Sequence, residues 1–79
     1  MIAEVLFFGA TAQVTGQRRI AIEVAPETRA NTIFDKLVAD HPRLALHKLR
    51  FAVNQQFATG NEIICDGDEL AMFTAVSGG

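Results

Sequence analysis

The sequence predicts an α+β fold in which a mixed β-sheet packs against one main helix. Residues 18–24 alternate between aliphatic side chains and polar or small ones, as in a strand with one buried face. Residues 29–40 place apolar side chains at helical spacing. Stretches rich in aromatic and aliphatic residues lie near both ends of the 79-residue chain. Strands on both sides of one helix, in a chain of this length, predict a single domain spanning residues 1–79.

The N-terminal part begins with two predicted strands. Residues 2–8 form the first, because aromatic and aliphatic side chains dominate them and no breaker interrupts. Gly9 ends this strand, and residues 9–16 are expected to form a short loop or a single helical turn. A tight connection then leads into the second strand, residues 18–24.

One amphipathic helix follows the second strand. Pro26 closes that strand, and Thr28 is the predicted N-cap. From residue 29 to about residue 40, the apolar stripe consists of Ala30, Ile33, Phe34, Leu37 and Val38. His41 ends the helix, because a residue that precedes a proline avoids the helical region. Residues 43–48 are expected to add a further helical turn.

Short strands separated by turns make up the rest of the chain. We predict strands at residues 50–54, 57–59, 62–65 and 69–74. Turns separate them at Asn54-Gln55-Gln56, at Gly60-Asn61 and at Asp66-Gly67-Asp68. The last of these turns is acidic but lacks the further oxygen ligands of a calcium-binding loop, so we interpret it as a turn.

This order of elements is the outline of the β-grasp, or ubiquitin-like, roll. In that roll the first and last strands lie side by side at the centre of the sheet, and their parallel pairing uses the intervening chain as a crossover. The side chains expected to lie under the helix are Val5, Phe7, Ile20, Ile22, Phe34, Leu37, Leu70 and Met72.

Alternation leaves a second set of apolar side chains on the other side of the sheet. This outward set consists of Leu6, Phe8, Ala71 and Phe73, with Phe57 alongside. A contiguous exposed apolar patch usually marks a binding surface, and aromatic residues are its usual anchors. The competing interpretation is that the loop after Val38 folds over these residues and buries them.

Composition argues against several classes of function. The net charge of −2 and the absence of a Lys/Arg run predict no nucleic-acid partner. No signal peptide and no apolar run of bilayer length are recognisable, so we expect no membrane partner and a cytoplasmic location. The single cysteine, Cys65, fits a reducing compartment and is expected to lie in a half-buried strand.

Catalytic and metal-binding patterns are also missing from the sequence. His41 and His47 flank a proline at a spacing that does not place a metal pair on one helix face. No histidine stands at a recognisable catalytic spacing from Cys65, and no glycine-rich phosphate loop is present. We therefore expect the chain to bind no metal and no cofactor itself, and not to be catalytic alone.

The last residues carry the chemistry that the sequence predicts. Val76 and Ser77 lead into Gly78 and Gly79, and residues from about 75 to 79 are expected to form a thin, flexible tail that can enter a narrow channel. A terminal carboxylate is ionised and acylates poorly, so its use requires activation, most simply by ATP as an acyl adenylate. Gly79 has no Cβ to block the approach of a partner.

Four segments of this chain stand out as motifs, at residues 5–10 (VLFFGA), 52–55 (AVNQ), 66–73 (DGDELAMF) and 76–79 (VSGG). Together they resemble the small subunit of molybdopterin synthase. Each segment is a weak signal, but together they cover essentially the whole chain in order and at matching spacing. The combination is specific to that family of sulfur carriers.

The resemblance implies a particular chemistry. An E1-like adenylyltransferase would use ATP to adenylate Gly79, which then becomes a thiocarboxylate. The tail would insert into the large synthase subunit and pass sulfur to cyclic pyranopterin monophosphate, in molybdenum cofactor biosynthesis. The resemblance also implies a heterotetramer with that large subunit and docking on partners through Phe8, Phe57 and Phe73.

Two departures from the family pattern and three alternatives accompany this interpretation. Many relatives have Pro-Pro where this chain has Thr74-Ala75, so the tail of this chain should be less stiff. Many also have an arginine in the first loop, where this chain has Ala12. The polar contact that such an arginine makes with a partner has no counterpart here.

The alternatives are a carrier of the thiamin pathway, a ubiquitin-like modifier joined through Gly79, and a binding module with a frayed end. Deleting Gly79 would leave only the binding module functional.

Overall fold

The computed structural model describes residues 1–74 of the protein, which form a five-stranded sheet with helices. The strands are β1 (Ile2–Phe7), β2 (Arg19–Glu23), β3 (Leu49–Val53), β4 (Gln56–Phe57) and β5 (Glu69–Thr74). The helices are α1 (Ala10–Thr15), α2 (Ala30–Asp40) and a 3-10 helix (Pro42–Leu46). Apart from a predicted strand at residues 62–65, the order of strands and of the main helix agrees with the sequence prediction, and the short helix α1 lies within the segment 9–16 that was expected to form a loop or one helical turn.

The strand order in the sheet is β2-β1-β5-β3-β4. The first and last strands, β1 and β5, are parallel neighbours at the centre, and all other neighbouring strands are antiparallel. Parallel neighbours need a long crossover, which here runs through α2 and β3. The predicted β-grasp topology is therefore confirmed.

The hydrophobic core lies between the sheet and α2. Six of the eight predicted inward residues are buried, with relative exposures of 6% or less at Val5, Phe7, Phe34, Leu37, Leu70 and Met72. The ring of Phe51 stacks on that of Phe34, with centroids 4.2 Å apart, and Leu44 of the 3-10 helix is fully buried. Ile20 and Ile22 are only partly buried, because β2 is the outer strand of the sheet.

The start of α2 is capped differently from the prediction. Thr28 is not the N-cap, and its hydroxyl donates a hydrogen bond to the Ala25 carbonyl oxygen at 2.8 Å. Two carbonyl oxygens from a distant loop satisfy the first amides of the helix instead. Ala30 N–H donates to Glu62 O at 2.8 Å, and Asn31 N–H donates to Gly60 O at 3.0 Å. The sequence rule failed because a tertiary contact replaced the local cap.

Residues 62–65 do not form the predicted edge strand. Among residues 1–74, this segment makes only an isolated bridge between Arg29 and Ile63. The Glu62 carboxylate turns back into its own loop and accepts the backbone N–H groups of Thr59 (2.7 Å) and Gly60 (2.8 Å). The Thr59 hydrogen bond is the main cause that lowers the pKa of Glu62 below its ordinary value of 4.5.

The failure of this strand also changes the expected position of the cysteine. Cys65 is exposed and lies outside any strand, whereas its neighbour Ile64 is 1% exposed and belongs to the core. The loop wraps around the start of α2 rather than pairing with a strand, so alternation does not predict which of its side chains are buried.

Candidate functional site

An apolar groove runs along the sheet face that points away from α2, which we call the open face. The open-face groove is lined by Leu6, Phe8, Ala52, Gln55, Phe57, Glu69, Ala71 and Phe73. Phe8 and Phe57 are 51% and 76% exposed, which is unusual for phenylalanine. The rings of Phe57 and Phe73 tilt against each other with centroids 6.1 Å apart.

Strand register brings these side chains together from four strands. Leu6 on β1 stands opposite Ala71 on β5, Ala71 stands opposite Ala52 on β3, and Ala52 stands opposite Phe57 on β4. The two alanines are nearly buried and form a flat floor between larger side chains. Leu6, Phe8, Phe57, Ala71 and Phe73 were all in the predicted outward set. Ala52 was not predicted and joins them because β3 pairs with β5, and Gln55 joins them from the turn between β3 and β4.

The interpretation that a loop covers this face is wrong for the part of the chain that the structure describes. After Val38 the chain passes through His41 into the 3-10 helix, and Leu44 of that helix packs into the core on the α2 side of the sheet. Phe8 and Phe57 consequently keep their exposure. Among residues 1–74, no segment covers the open-face groove.

A buried threonine that the sequence analysis did not single out holds one end of the groove. Thr11 in α1 is fully buried, and its hydroxyl lies 2.7 Å from the Phe8 carbonyl oxygen and 2.9 Å from the Met72 carbonyl oxygen. Phe8 N–H also donates to Met72 O at 3.0 Å. Thr11 therefore fixes α1 and Phe8 against β5. The only sequence signal was a threonine within a segment bounded by two glycines.

Replacing Thr11 by valine should lower the free energy of unfolding by about 1 to 2 kcal/mol, because the buried hydrogen bonds are lost at nearly constant shape. Urea unfolding followed by circular dichroism measures this change. Thr15→Val is the matched control on the same helix, since Thr15 donates to Thr11 O at 3.0 Å but is only partly buried. Equal losses in the two variants would contradict the role given to Thr11.

The segments AVNQ and DGDE touch each other at the other end of the groove. Asn54 N–H donates to Glu69 O at 2.7 Å, its side-chain oxygen accepts Glu69 N–H at 2.9 Å, and its side-chain NH₂ donates to Asp68 Oδ1 at 3.0 Å. Asn54 and Gln55 both have positive φ, 50° and 68°, as a type I′ hairpin turn requires. The contact holds the β3–β4 hairpin, and with it Phe57, beside β5.

The acidic turn is built as predicted, from side-chain oxygens that accept backbone amides. Asp66 Oδ1 accepts Ile2 N–H at 2.7 Å, and Asp68 Oδ2 accepts Cys65 N–H at 2.7 Å. These oxygens stabilise the turn between Cys65 and β5, with Gly67 at a positive φ of 84°. The turn is structural.

Charged residues lie around the groove. Arg19 Nε lies 2.9 Å from Glu4 Oε1, and the two side chains are 65% and 40% exposed, so solvent screens this ion pair and it contributes little to stability. By register, Arg19 is opposite Leu6 and Arg50 is opposite Phe73, while Glu69 lies toward the start of β5. Positive charge therefore lies toward the end at which β5 finishes.

The remaining predicted site residues lie outside the part of the chain that the structure describes. These are Val76, Ser77, Gly78 and Gly79 of the tail, and Ala75 of the Thr74-Ala75 departure. Thr74, the last residue of β5, is described and pairs with Leu49. Ala12, at the second departure, packs partly against the core. None of the helices in residues 1–74 has the length and apolarity needed to cross a membrane.

Fold and surface together define a class, the ubiquitin-like β-grasp proteins with an apolar groove next to the last strand. The chain belongs to the ThiS family, whose model matches residues 5–79. It is 35% identical over 81 residues to the human molybdopterin synthase sulfur carrier subunit, which covers 96% of this chain and 92% of the relative. It is 36% identical to the subunit of that name from Mycobacterium tuberculosis, over 95% and 94% of the two chains.

Two solved structures illustrate the similarity in fold. Small archaeal modifier protein 1 of Haloferax volcanii superposes with a TM-score of 0.81 at 27% identity, over 95% of this chain and 98% of that one. A chain in the complex of subunits 1 and 2 of the molybdopterin-converting factor from Helicobacter pylori superposes with a TM-score of 0.69 at 21% identity, over the full length of both. These matches agree with the β-grasp assignment.

Proposed function

We propose that this protein is the sulfur carrier subunit of a molybdopterin synthase. The observation that carries the proposal is the similarity to the human and mycobacterial carriers, which extends over at least 95% of this chain. The open-face groove supports it, because a carrier must dock on a partner while its tail reaches the partner's active site. In this role the chain is not catalytic alone.

The proposed chemistry takes place at Gly79. An E1-like partner joins the Gly79 carboxylate to the AMP portion of ATP and releases pyrophosphate. Sulfur at the oxidation level of sulfide then displaces AMP from the acyl adenylate and leaves a thiocarboxylate at Gly79. In the large synthase subunit the sulfur passes to cyclic pyranopterin monophosphate, and the carboxylate is regenerated. In this proposal the activating partner uses ATP, and the chain itself binds no cofactor.

Docking and chemistry are divided between two parts of the chain in this proposal. The groove residues Phe8, Phe57 and Phe73 supply apolar contact area, since aromatic anchors in a desolvated patch dominate most interfaces. β5 ends at Thr74, next to the groove. Docking through the groove would therefore fix the position from which the tail, with Val76, Ser77, Gly78 and Gly79, enters the partner. Thr11 and Asn54 act as positioning residues for the two ends of the groove.

The decisive test is intact mass after incubation with ATP, a sulfur source and an extract of the host cell. We expect a mass gain equal to the replacement of one oxygen atom by one sulfur atom, and no gain after deletion of Gly79. A known carrier added to the same extract shows that the extract is competent. No gain in this protein, with a gain in that carrier, would contradict the proposal.

A second candidate function is that of a ubiquitin-like protein modifier. The similarity to small archaeal modifier protein 1 over nearly the whole of both chains favours it. A modifier would lose water in an isopeptide bond between Gly79 and a lysine of another protein. Tagged protein recovered under denaturing, reducing conditions would then appear in larger conjugates that disappear after Gly79 deletion, whereas a thiocarboxylate carrier would be recovered at its own mass.

A further inference from the structure

The outer strand β2 has a free hydrogen-bonding edge. Within residues 1–74 it pairs with β1 alone. Phe7 N–H donates to Arg18 O at 2.9 Å and Val24 N–H donates to Met1 O at 2.7 Å, so the even-numbered residues of this segment bond to β1. The backbone N–H and C=O groups of Arg19, Ala21 and Glu23 therefore point away from the sheet.

This edge has a sequence that is complementary to itself. The strand reads Arg-Ile-Ala-Ile-Glu from residue 19 to residue 23. If a second copy is laid antiparallel along it with the two Ala21 residues opposite each other, Arg19 faces Glu23 and Ile20 faces Ile22. The residues with outward backbone groups, Arg19, Ala21 and Glu23, then lie opposite one another and can form the hydrogen bonds between the copies. Other antiparallel registers also place outward backbone groups opposite each other, but only this one puts Arg19 of each copy opposite Glu23 of the other.

We propose that β2 is a homotypic interaction surface, on which a second copy of this chain adds its own β2 antiparallel about Ala21. The occupant is assigned by charge complementarity, because the pairing forms two Arg19–Glu23 contacts between copies. Opposite charges directly across an antiparallel pair stabilise it. Arg19 would lie between Glu23 of the second copy and its own Glu4, which is 2.9 Å away.

The side chains on the helix side of β2 favour the same pairing. Ile20 and Ile22 are only partly buried and line a cleft between β2 and α2, together with Ile33 and Leu37. In the proposed register each isoleucine meets the other isoleucine of the second copy and buries further apolar surface. The Arg19–Glu23 contacts lie on the open face and the isoleucine contacts lie on the helix face, so the side chains on both faces of β2 favour the same register.

Edge strands usually carry features that prevent such pairing, and β2 has few of them. Residues 19–23 contain no proline, lysine or bulge. The strand is short and carries two charges, but Arg19 and Glu23 are opposite in sign and attract each other in the proposed register. The paired region is bounded by Gly16 and Pro26, which stand opposite each other in the proposed register. Pairing is therefore limited to the strand and its immediate flanks.

The geometry of the pairing predicts a weak dimer in which the open-face groove stays accessible. A single pair of strands buries much less than the roughly 1,200 Å² of a stable interface, so we expect association in the micromolar to millimolar range. The two-fold axis is perpendicular to the continuous sheet, which keeps both open-face grooves on one side. Self-association through β2 is thus compatible with an accessible groove.

Charge reversal on the full-length protein tests the proposal. Sedimentation velocity should show a concentration-dependent dimer for the natural protein, and Arg19→Glu or Glu23→Arg should each weaken it about tenfold, because attraction becomes repulsion at two contacts. An equimolar mixture of the two variants should form a heterodimer, since every contact between them is attractive again. The double variant should recover self-association. Circular dichroism checks that each variant is folded.

Backbone amides give an independent measurement. In NMR spectra recorded over a concentration series, the amide signals of Arg19, Ala21 and Glu23 should shift together. Ala21→Pro removes an outward N–H without removing a bond to β1, so it should abolish the shifts in a folded chain. A protein that stays monomeric, a dimer unaffected by charge reversal, or shifts centred on Phe8 and Phe57 would overturn the proposal.

Discussion

Phe73→Ala is expected to weaken binding to the large subunit of molybdopterin synthase, the proposed partner, by about 1 to 3 kcal/mol, or roughly 5- to 150-fold in Kd. Phe73 lies at the end of β5 that leads into the tail, in contact with the groove and with the ring of Phe57. Removing the ring deletes apolar contact area where partner and tail must be aligned. Isothermal titration calorimetry with the purified large subunit measures the change.

A matched control comes from an exposed leucine outside the groove. Leu46 is 81% exposed, similar to the 76% of Phe57, but it lies at the end of the 3-10 helix. Leu46→Ala should leave the affinity unchanged, whereas Phe57→Ala should reduce it. Because the Phe57 and Phe73 rings are neighbours, their effects should not be additive in a double-mutant cycle. Unchanged affinity in Phe73→Ala would remove this residue from the site.

Most of the fold was predictable because its elements have strong local signals. Alternation in β1, β2 and β5 and the apolar stripe of α2 each identify a buried face, and the element order leaves few ways to bury these faces together. The same alternation predicted that Leu6, Phe8 and Phe73 point away from the helix. The groove residues that lie on regular strands were therefore predictable from the sequence.

Tertiary contacts explain what the sequence did not predict. The start of α2 is capped by carbonyl groups of Gly60 and Glu62, roughly thirty residues away in the chain, and no local rule anticipates such a partner. Asn54 was placed in a turn, but its bonds to Asp68 and Glu69 depend on the pairing of β3 with β5. Thr11 is buried only because α1 packs against β5. In each case the missing information is the identity of a distant neighbour.

Gly60→Ala is expected to reduce the free energy of unfolding by about 1 to 3 kcal/mol, a large part of the stability of a domain of this size. Gly60 has a φ of +97°, which side chains rarely adopt, and an added Cβ would overlap the end of the exposed Asn31 side chain, which must rotate away. Gly60 also supplies the carbonyl oxygen that accepts Asn31 N–H, so any shift of the loop weakens the cap of α2. Urea unfolding at neutral pH measures the loss.

Gly67→Ala separates the two causes of this loss. Gly67 has a similar φ of +84°, but an added Cβ would meet nothing within 4 Å, so this variant carries only the backbone cost of about 1 to 2 kcal/mol. The excess loss in Gly60→Ala should shrink when Asn31 is also changed to alanine, because the overlapping side chain is then removed. If Gly60→Ala and Gly67→Ala cost the same, the overlap with Asn31 and the resulting shift of the loop add nothing to the backbone cost.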